Sequence, residues 1–436
     1  MNSGGGFESS KEYPNLYHDF VKYVSLNVLS MLGVSAYVLF DTYFIATKIG
    51  LNALAGLNIA LPFFFLVSAT GIMLGIGTSV RYSILCGEKK EKSAIQIILI
   101  GLITSLILGL IIGLVGYLNS KDLMRLMGAD DVLLPYSHTY ISTIFLFSLT
   151  IILNGFGICV FRAAGHPKFA MTAALINSIS NLVLDYIFVY KAQYGIWGAA
   201  VASGIAPGLA LAYQIWIYCF RLGRFELEIP KLELSKIVDI LRLGFPSFFT
   251  EFSTGFIMIF FNMVILKCSG NIGISAYGII ANVAIVVTAI FTGVAQGIQP
   301  LISYYYGERK QMLVEQISTW AYNLTKGISI GLYICFFAFC AQIINIFNFE
   351  NNAELIEIAD KGIKVFFTAM IFWGGNIVNT HILASCDNPD KSFWLSACRG
   401  GIITIPVLLL LARYWSLTGV WITMSVAEML TYFIFI

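Results

Sequence analysis

Charge is scarce in this chain. Asp, Glu, Lys and Arg make up 11% of its 436 residues against 58% hydrophobic, and the formal net charge is +2. No stretch is polar for long enough to fold as a soluble domain, and so small a net charge gives no electrostatic reason to expect nucleic acid as a partner. The pattern GxxxxGK[ST] is absent, so the chain offers no P-loop for ATP. HExxH, a serine nucleophile elbow and a cysteine–histidine pairing are absent too, and no catalytic residue, required metal or cofactor is expected. The four histidines are scattered without metal-ligand spacing, and the eight cysteines form no CxxC pair. The cysteines read as reduced core residues. The polar start, MNSGGGFESSKEYPN, lacks the apolar core of a cleavable signal peptide.

What is present is apolar length. Mean hydropathy is +0.82, and runs near or above the ~20 residues that cross a bilayer recur along the chain. Twelve such runs fall at about 17–47, 54–85, 94–118, 137–161, 170–190, 195–220, 244–267, 272–304, 314–340, 361–385, 392–411 and 416–436. Short polar turns separate them, so successive spans should be antiparallel. With residue 1 placed in the cytoplasm, the inside flanks hold 17 Lys and Arg and the outside flanks 8. The positive-inside rule then puts both termini on the cytoplasmic face of the cell's inner (plasma) membrane.

The spans repeat. Residues 40–90 align without gaps on 260–310, a constant offset of 220, with 11 of 51 positions identical. Gly87-Glu88-Lys89-Lys90 falls on Gly307-Glu308-Arg309-Lys310, and His166-Pro167 falls on Asn388-Pro389 at an offset of 222. An offset of six spans preserves orientation, so the halves should be related by an axis along the membrane normal. The expectation is an all-α polytopic membrane protein: twelve transmembrane helices in two six-helix bundles related by a pseudo-two-fold axis. Residues 1–16 form a polar tail, 17–220 the first bundle, 221–243 a cytoplasmic linker with a surface helix, and 244–436 the second bundle.

Four carboxylates lie inside apolar spans: Asp41, Asp185, Glu251 and Glu428. An Asp at mid-membrane costs about 2.5–3.5 kcal/mol on insertion scales, so it usually faces a cavity and meets a proton, a cation or a cationic ligand. Asn177, Asn181 and Asp185 follow at i, i+4 and i+8 and share one helix face within about 80°. Ser203 adds a hydroxyl if spans five and six pack closely. Amides, a hydroxyl and carboxylates offer oxygen ligands to Na⁺ at Asp41, Asn181 and Asp185, or a shared proton. Glu251 lies near mid-membrane, between Pro246 and Gly255, where the helix is expected to be irregular. Glu251, Glu428 and Tyr37 are candidates for cationic substrate or a second proton. A purely structural polar network is the competing reading of the first-half set, pairing with a nearby polar or basic group such as Arg399 competes for Glu251, and a structural role competes for Glu428, which has no polar helical neighbours beyond Ser425 and Thr431. Tyr37, Phe63, Phe64 and Tyr140 are candidate aromatics for stacking on flat cations.

In order along the chain, FDTYFIATKIG, LNALAGLNIALP, GEKK, FRAAGHPKFAM, NSISNLVLDYIF, GFPSFFTE and GERK resemble the multidrug and toxic compound extrusion (MATE) transporters over all twelve spans. That resemblance implies an antiporter, with no ATP, that expels drugs and organic cations in exchange for H⁺ or Na⁺ and works as a monomer in the lipid bilayer. It carries Asp41, Asn181, Asp185 and Ser203 onto the coupling site of the DinF-like branch, with Ser203 where Thr is common. Glu251 takes the place of the acidic residue of the NorM-like branch in span seven. Span ten has no acidic residue, which points to the first half for coupling. Two alternatives are weighed. A lipid-linked saccharide flippase of the same superfamily wants fourteen spans and a basic cavity. An intramembrane aspartyl hydrolase wants YD and GxGD, whereas the contexts here are FDTYF and LDYIF.

Overall fold

A computed structural model describes residues 15–221, 233–347 and 352–435. Within these ranges every regular element is helical. The first half contains α1 (Leu16–Lys48), α2 (Leu51–Gly87), α3 (Glu91–Leu126), α4 (Leu134–Leu146), α5 (Ser148–Ala163), α6 (Pro167–Asp185) and α7 (Gly195–Phe220). The second contains α8 (Leu234–Gly307), α9 (Gln311–Ala338), α10 (Cys340–Phe347), α11 (Ala353–Phe366), α12 (Met370–Ser385), α13 (Pro389–Ala397) and α14 (Thr404–Phe435). The polar tail up to residue 14 and the linker over 222–232 lie outside the described residues.

Several helices must be grouped or divided to count spans. A straight helix of 74 residues, the length of α8, would run about 111 Å at 1.5 Å per residue, far beyond the ~30 Å of hydrocarbon. It folds back at Gly270, whose φ of 63° is outside the helical region. The fold-back brings Phe261 and Tyr277 into ring stacking at 5.4 Å, which no straight helix allows for residues sixteen apart. The run Pro389–Phe435 turns likewise at Ser416, φ 50°. Helices α4 and α5 form one span bent by 57°. Helices α11 and α12 form one span through a short 3₁₀ turn. Grouped in this way, the described residues form twelve spans, as the hydropathy pattern predicts.

The internal repeat is visible in the backbone. Lys89 and Arg309 have φ of 61° and 59°, Gly50 and Gly270 have 103° and 63°, and Gly165 and Asp387 have 84° and 57°. After α2, the amides of Glu88, Lys89 and Lys90 donate to Ile84, Cys86 and Leu85; 220 residues later those of Glu308, Arg309 and Lys310 donate to Tyr304, Tyr306 and Tyr305. This is a helix stop in which the left-handed residue satisfies the orphan carbonyls. The offset thus reports one backbone path used twice.

The halves meet along the axis the repeat requires. A Cβ on Gly87 would overlap the carbonyl of Tyr304, and one on Gly307 would overlap that of Ile84, the residue 220 positions before Tyr304. Likewise Gly77 backs onto Ile240 and Gly244, while Gly297 backs onto Val24 and Tyr23. Bare glycines let backbones from the two halves touch. Gly87→Val is therefore expected to lower the thermal midpoint of the purified protein, at the ~1–3 kcal/mol typical of overpacking. Gly331→Val, on a glycine with nothing within 4 Å of a built Cβ, should leave it unchanged.

Polar contacts tie the same interface. Arg81 of α2 donates from Nε to Asp239 Oδ2 at 2.5 Å and from Nη2 to Asp239 Oδ1 at 2.7 Å and Asp387 Oδ1 at 3.0 Å. Asn27 donates to Gly293 O at 2.8 Å, and buried Arg162 donates to the backbone and side chain of Gln296 at 3.2 and 2.9 Å. The Arg81 link has no counterpart by symmetry, because Leu301 stands 220 residues on. In a variant retaining only Cys86, a buried thiol one residue before Gly87, Arg81→Asp should raise maleimide labelling severalfold. Adding Asp239→Arg should lower it again.

Two expectations need correction. Helix α8 passes Pro246 and Glu251 without leaving helical geometry. The irregular turns lie elsewhere, as π-helical segments at Tyr186–Lys191 and Cys398–Ile402. Nor are all eight cysteines core residues: Cys86, Cys159 and Cys340 are buried, but Cys219 and Cys335 are exposed.

Candidate functional site

The first bundle gathers its polar residues from four spans. Tyr37 and Asp41 come from α1, Tyr140 from α4, Asn181 and Asp185 from α6, and Ser203 from α7. Asp185 is fully buried, Asn181 is 2% exposed and Ser203 8%. Asp185 is the last residue of α6, where the helix widens into the π turn Tyr186–Lys191. Such a change of pitch re-aims a side chain and often marks a functional position. Gly198 packs against Phe188 of that turn, which brings α7 close enough for Asn181 Nδ2 to donate to Ser203 Oγ at 3.3 Å.

The oxygens left over define the site. Asp41 Oδ1, both carboxyl oxygens of Asp185 and Asn181 Oδ1 are buried and accept no hydrogen bond. Because Asn181 gives its amide hydrogens to Ser203, its carbonyl oxygen is free to face a positive charge. Asp41 and Asp185 lie within electrostatic range of each other. Two buried carboxylates so placed cannot both stay charged without a proton or cation between them. Tyr140, which composition offered only as one aromatic among many, lies beside Ser203 and in range of both aspartates. Asn177 lies one turn before Asn181 on the same face of α6, about 12 Å along the axis from Asp185, and makes no side-chain hydrogen bond among the described residues.

In the second half, Gly244, Glu251 and Gly255 fall within about 40° of one line along α8. Gly244 backs onto Met73 and Gly255 faces Phe65, both of α2. Glu251 thus lies on the face of α8 turned toward α2, and it lies within electrostatic range of Tyr37, as do Asp41 and Asp185. It has no hydrogen-bond or ion-pair partner among the described residues. Arg399 pairs with the other glutamate. Its Nε and Nη2 lie 3.0–3.1 Å from the Glu428 carboxylate, and Asn376 Nδ2 donates to Glu428 Oε2 at 2.7 Å. Glu428 is 3% exposed. The pairing takes Glu428 out of the group that can receive a cationic substrate or a second proton. Sequence spacing gave no sign of this, because Arg399 and Asn376 belong to other spans.

Comparison with known proteins bears on this arrangement. The MatE family description matches twice, over residues 27–187 and 246–410, one match in each half. The chain belongs to the MatE family. It is therefore a multi-pass membrane transporter and not an enzyme. Among similar proteins are the multidrug export protein MepA of Staphylococcus saprophyticus, 24% identical over 97% of this chain and 92% of that one, and MepA of Staphylococcus aureus, with the same figures. Among solved structures, the outward-facing conformation of a multidrug resistance MATE family transporter has a TM-score of 0.92 at 21% identity, covering 100% of this chain and 96% of that one. A MOP superfamily transporter from Pyrococcus furiosus has a TM-score of 0.91 at 21% identity, with 100% and 97% covered. These likenesses establish the MatE fold of two six-helix bundles.

Proposed function

We propose that this MatE transporter exports drug-like organic cations in exchange for H⁺ or Na⁺, with coupling at Asp41 and Asp185. The observation that carries the reading is the convergence of four unpartnered buried oxygens, from Asp41, Asp185 and Asn181, with no basic side chain among them. Such a group is stable only when it holds a proton or a cation. Tyr37 links this site electrostatically to Glu251, so a cationic substrate near Glu251 and a coupling ion at Asp41 repel one another. That repulsion is the elementary requirement for exchange: occupancy of one site disfavours the other. The names of the similar MepA proteins support the substrate class. The bias of basic residues supports cytoplasmic termini in the plasma membrane.

The test is efflux of a fluorescent organic cation from proteoliposomes under separately imposed Na⁺ and H⁺ gradients. Efflux driven by one of them and collapsed by its ionophore is expected. Transport indifferent to both gradients would refute the coupling reading.

A further inference from the structure

The two halves share a backbone path but differ in how their buried acids are compensated. Counting from the paired prolines, Pro167 and Pro389, Arg399 occupies in the second half the place of Asn177 in the first. Asn376 likewise corresponds to Asn154 at the same offset of 222. In the first half, Asn154 Oδ1 accepts from Gln214 at 2.8 Å, a neutral pairing, and the carboxylates of Asp41 and Asp185 are left without a cation. In the second half a guanidinium is built in.

The local backbone is arranged to put it there. Arg399 belongs to the π-helical segment Cys398–Ile402, in which Gly401 has φ of 156°, a conformation open to glycine. The carbonyl of Arg399, freed by the irregular turn, accepts from Thr404 Oγ1 at 2.8 Å. Gly400 lies against Ser253 and Phe249 of α8, so close that a Cβ would meet Ser253 Oγ at 2.6 Å. The widened turn swings Arg399 onto α14, where Nε contacts both carboxyl oxygens of Glu428 and Nη2 contacts one. Asn376 adds a contact to Oε2 and a second, at 2.8 Å, to the Glu428 carbonyl. Neither carboxyl oxygen of Glu428 is left without a partner, in contrast to both oxygens of Asp185.

We infer that Arg399 is a positioning residue that acts as a resident cation for Glu428: it holds that carboxylate compensated and so prevents it from taking up a coupling ion. The inference rests on the ion-coupling reading given above. It follows that Glu428 adds no ion to those exchanged per substrate. It also explains how a carboxylate persists in an apolar span: its oxygens are already met by a fixed guanidinium and an amide.

The experiment measures the substrate gradient sustained by a fixed ion gradient, at zero membrane potential, in proteoliposomes of the full chain. Three proteins are compared: wild type, Arg399→Met, and Arg399→Met with Glu428→Gln. Removing the guanidinium alone leaves a buried carboxylate that must acquire a proton or Na⁺. One further ion per substrate multiplies the sustained gradient by about the ion gradient itself, about tenfold for a tenfold ion gradient. The double variant, with neither charge, is expected to return to the wild-type value. A purely structural pair would lower the rate in both variants without moving this ratio. If Arg399→Met folds and its ratio equals that of wild type, the inference is wrong. A double variant whose ratio differs from wild type overturns it as well, since the pair would then take part in coupling. Should Arg399→Met not fold at neutral pH without Na⁺, its thermal midpoint decides instead: a rise on adding Na⁺ or lowering pH that wild type does not show supports the inference, and no such rise overturns it. A wild type that sustains no gradient removes the coupling reading and this inference together. A coupled wild type with an unmoved Arg399→Met ratio removes only the latter.

Discussion

Asp41→Asn is expected to abolish gradient-driven efflux while the protein remains folded. The substitution keeps the shape of the side chain and removes its charge. Asp41 lies in electrostatic range of Asp185, and at least three of their carboxyl oxygens are buried without partners. Removing one charge relieves repulsion in a low-dielectric site, so the thermal midpoint in detergent, without added Na⁺, should equal or exceed that of wild type. Coupling should fail because the remaining carboxylate, Asp185, can be neutralised without its partner and no longer demands an exchangeable cation shared between two helices. Efflux should fall to the leak of protein-free liposomes under either gradient. Wild-type rates from a well-expressed Asp41→Asn protein would remove Asp41 from the coupling site. An unfolded protein is not expected; should it occur, Asp41→Glu, which keeps the charge, should restore folding but transport poorly because the carboxylate is displaced by a methylene.

How much of this was legible in the sequence depends on the physical range of each feature. The twelve spans were legible because the bilayer imposes a length on every apolar run, and the repeat because its turns carry polar residues whose backbone needs are specific. Lys89 and Arg309 share a positive φ, and Gly50 and Gly270 share a positive φ with an extended ψ, so the aligned loops reflect shared geometry. The first-half site was legible in part because Asn181 and Asp185 share one helix, where a spacing of four predicts a common face. For Asn177 the rule gives the face and not the reach: eight residues from Asp185 keep the face but add about 12 Å along the axis. Tyr140 could be offered only as one aromatic of many, since its place beside Ser203 depends on how α4 leans on α7. Arg399 and Glu428 were both noticed, yet the sequence suggested Glu251 as the partner of Arg399. What decided the pairing is the π turn at Cys398–Ile402 and the glycine at 401, a departure from helical pitch that hydrophobic periodicity does not record.

Glu251→Gln is expected to discriminate between substrates by charge. Glu251 is partly buried on the face of α8 that Gly244 and Gly255 turn toward α2, and it is left without a hydrogen-bond or ion-pair partner among the described residues. The pairing of Arg399 with Glu428 matters here, because it removes the one nearby guanidinium the sequence offered as a partner for Glu251. A carboxylate on that face without a resident cation attracts a mobile one. A charge-assisted hydrogen bond contributes about 1.5–3 kcal/mol where a neutral one contributes about 0.5–1.5. Replacing the carboxylate by an amide should therefore raise KM for monocationic substrates roughly 10-fold. For neutral substrates of matched size and aromatic area, KM should change by no more than about 2-fold, since the amide keeps the shape of the side chain and leaves its aromatic surroundings unchanged. The gradient dependence of transport should persist for both classes, because the substitution leaves the proposed coupling site at Asp41 and Asp185 intact. Equal losses for cationic and neutral substrates would move Glu251 from substrate recognition to coupling. No change for either class would reduce it to a structural residue. Tyr37→Phe separates the two contributions: it keeps the ring for stacking but deletes a hydroxyl in range of Asp41, Asp185 and Glu251. It should therefore leave KM for cations near the wild-type value while shifting the ion concentration needed for half-maximal efflux.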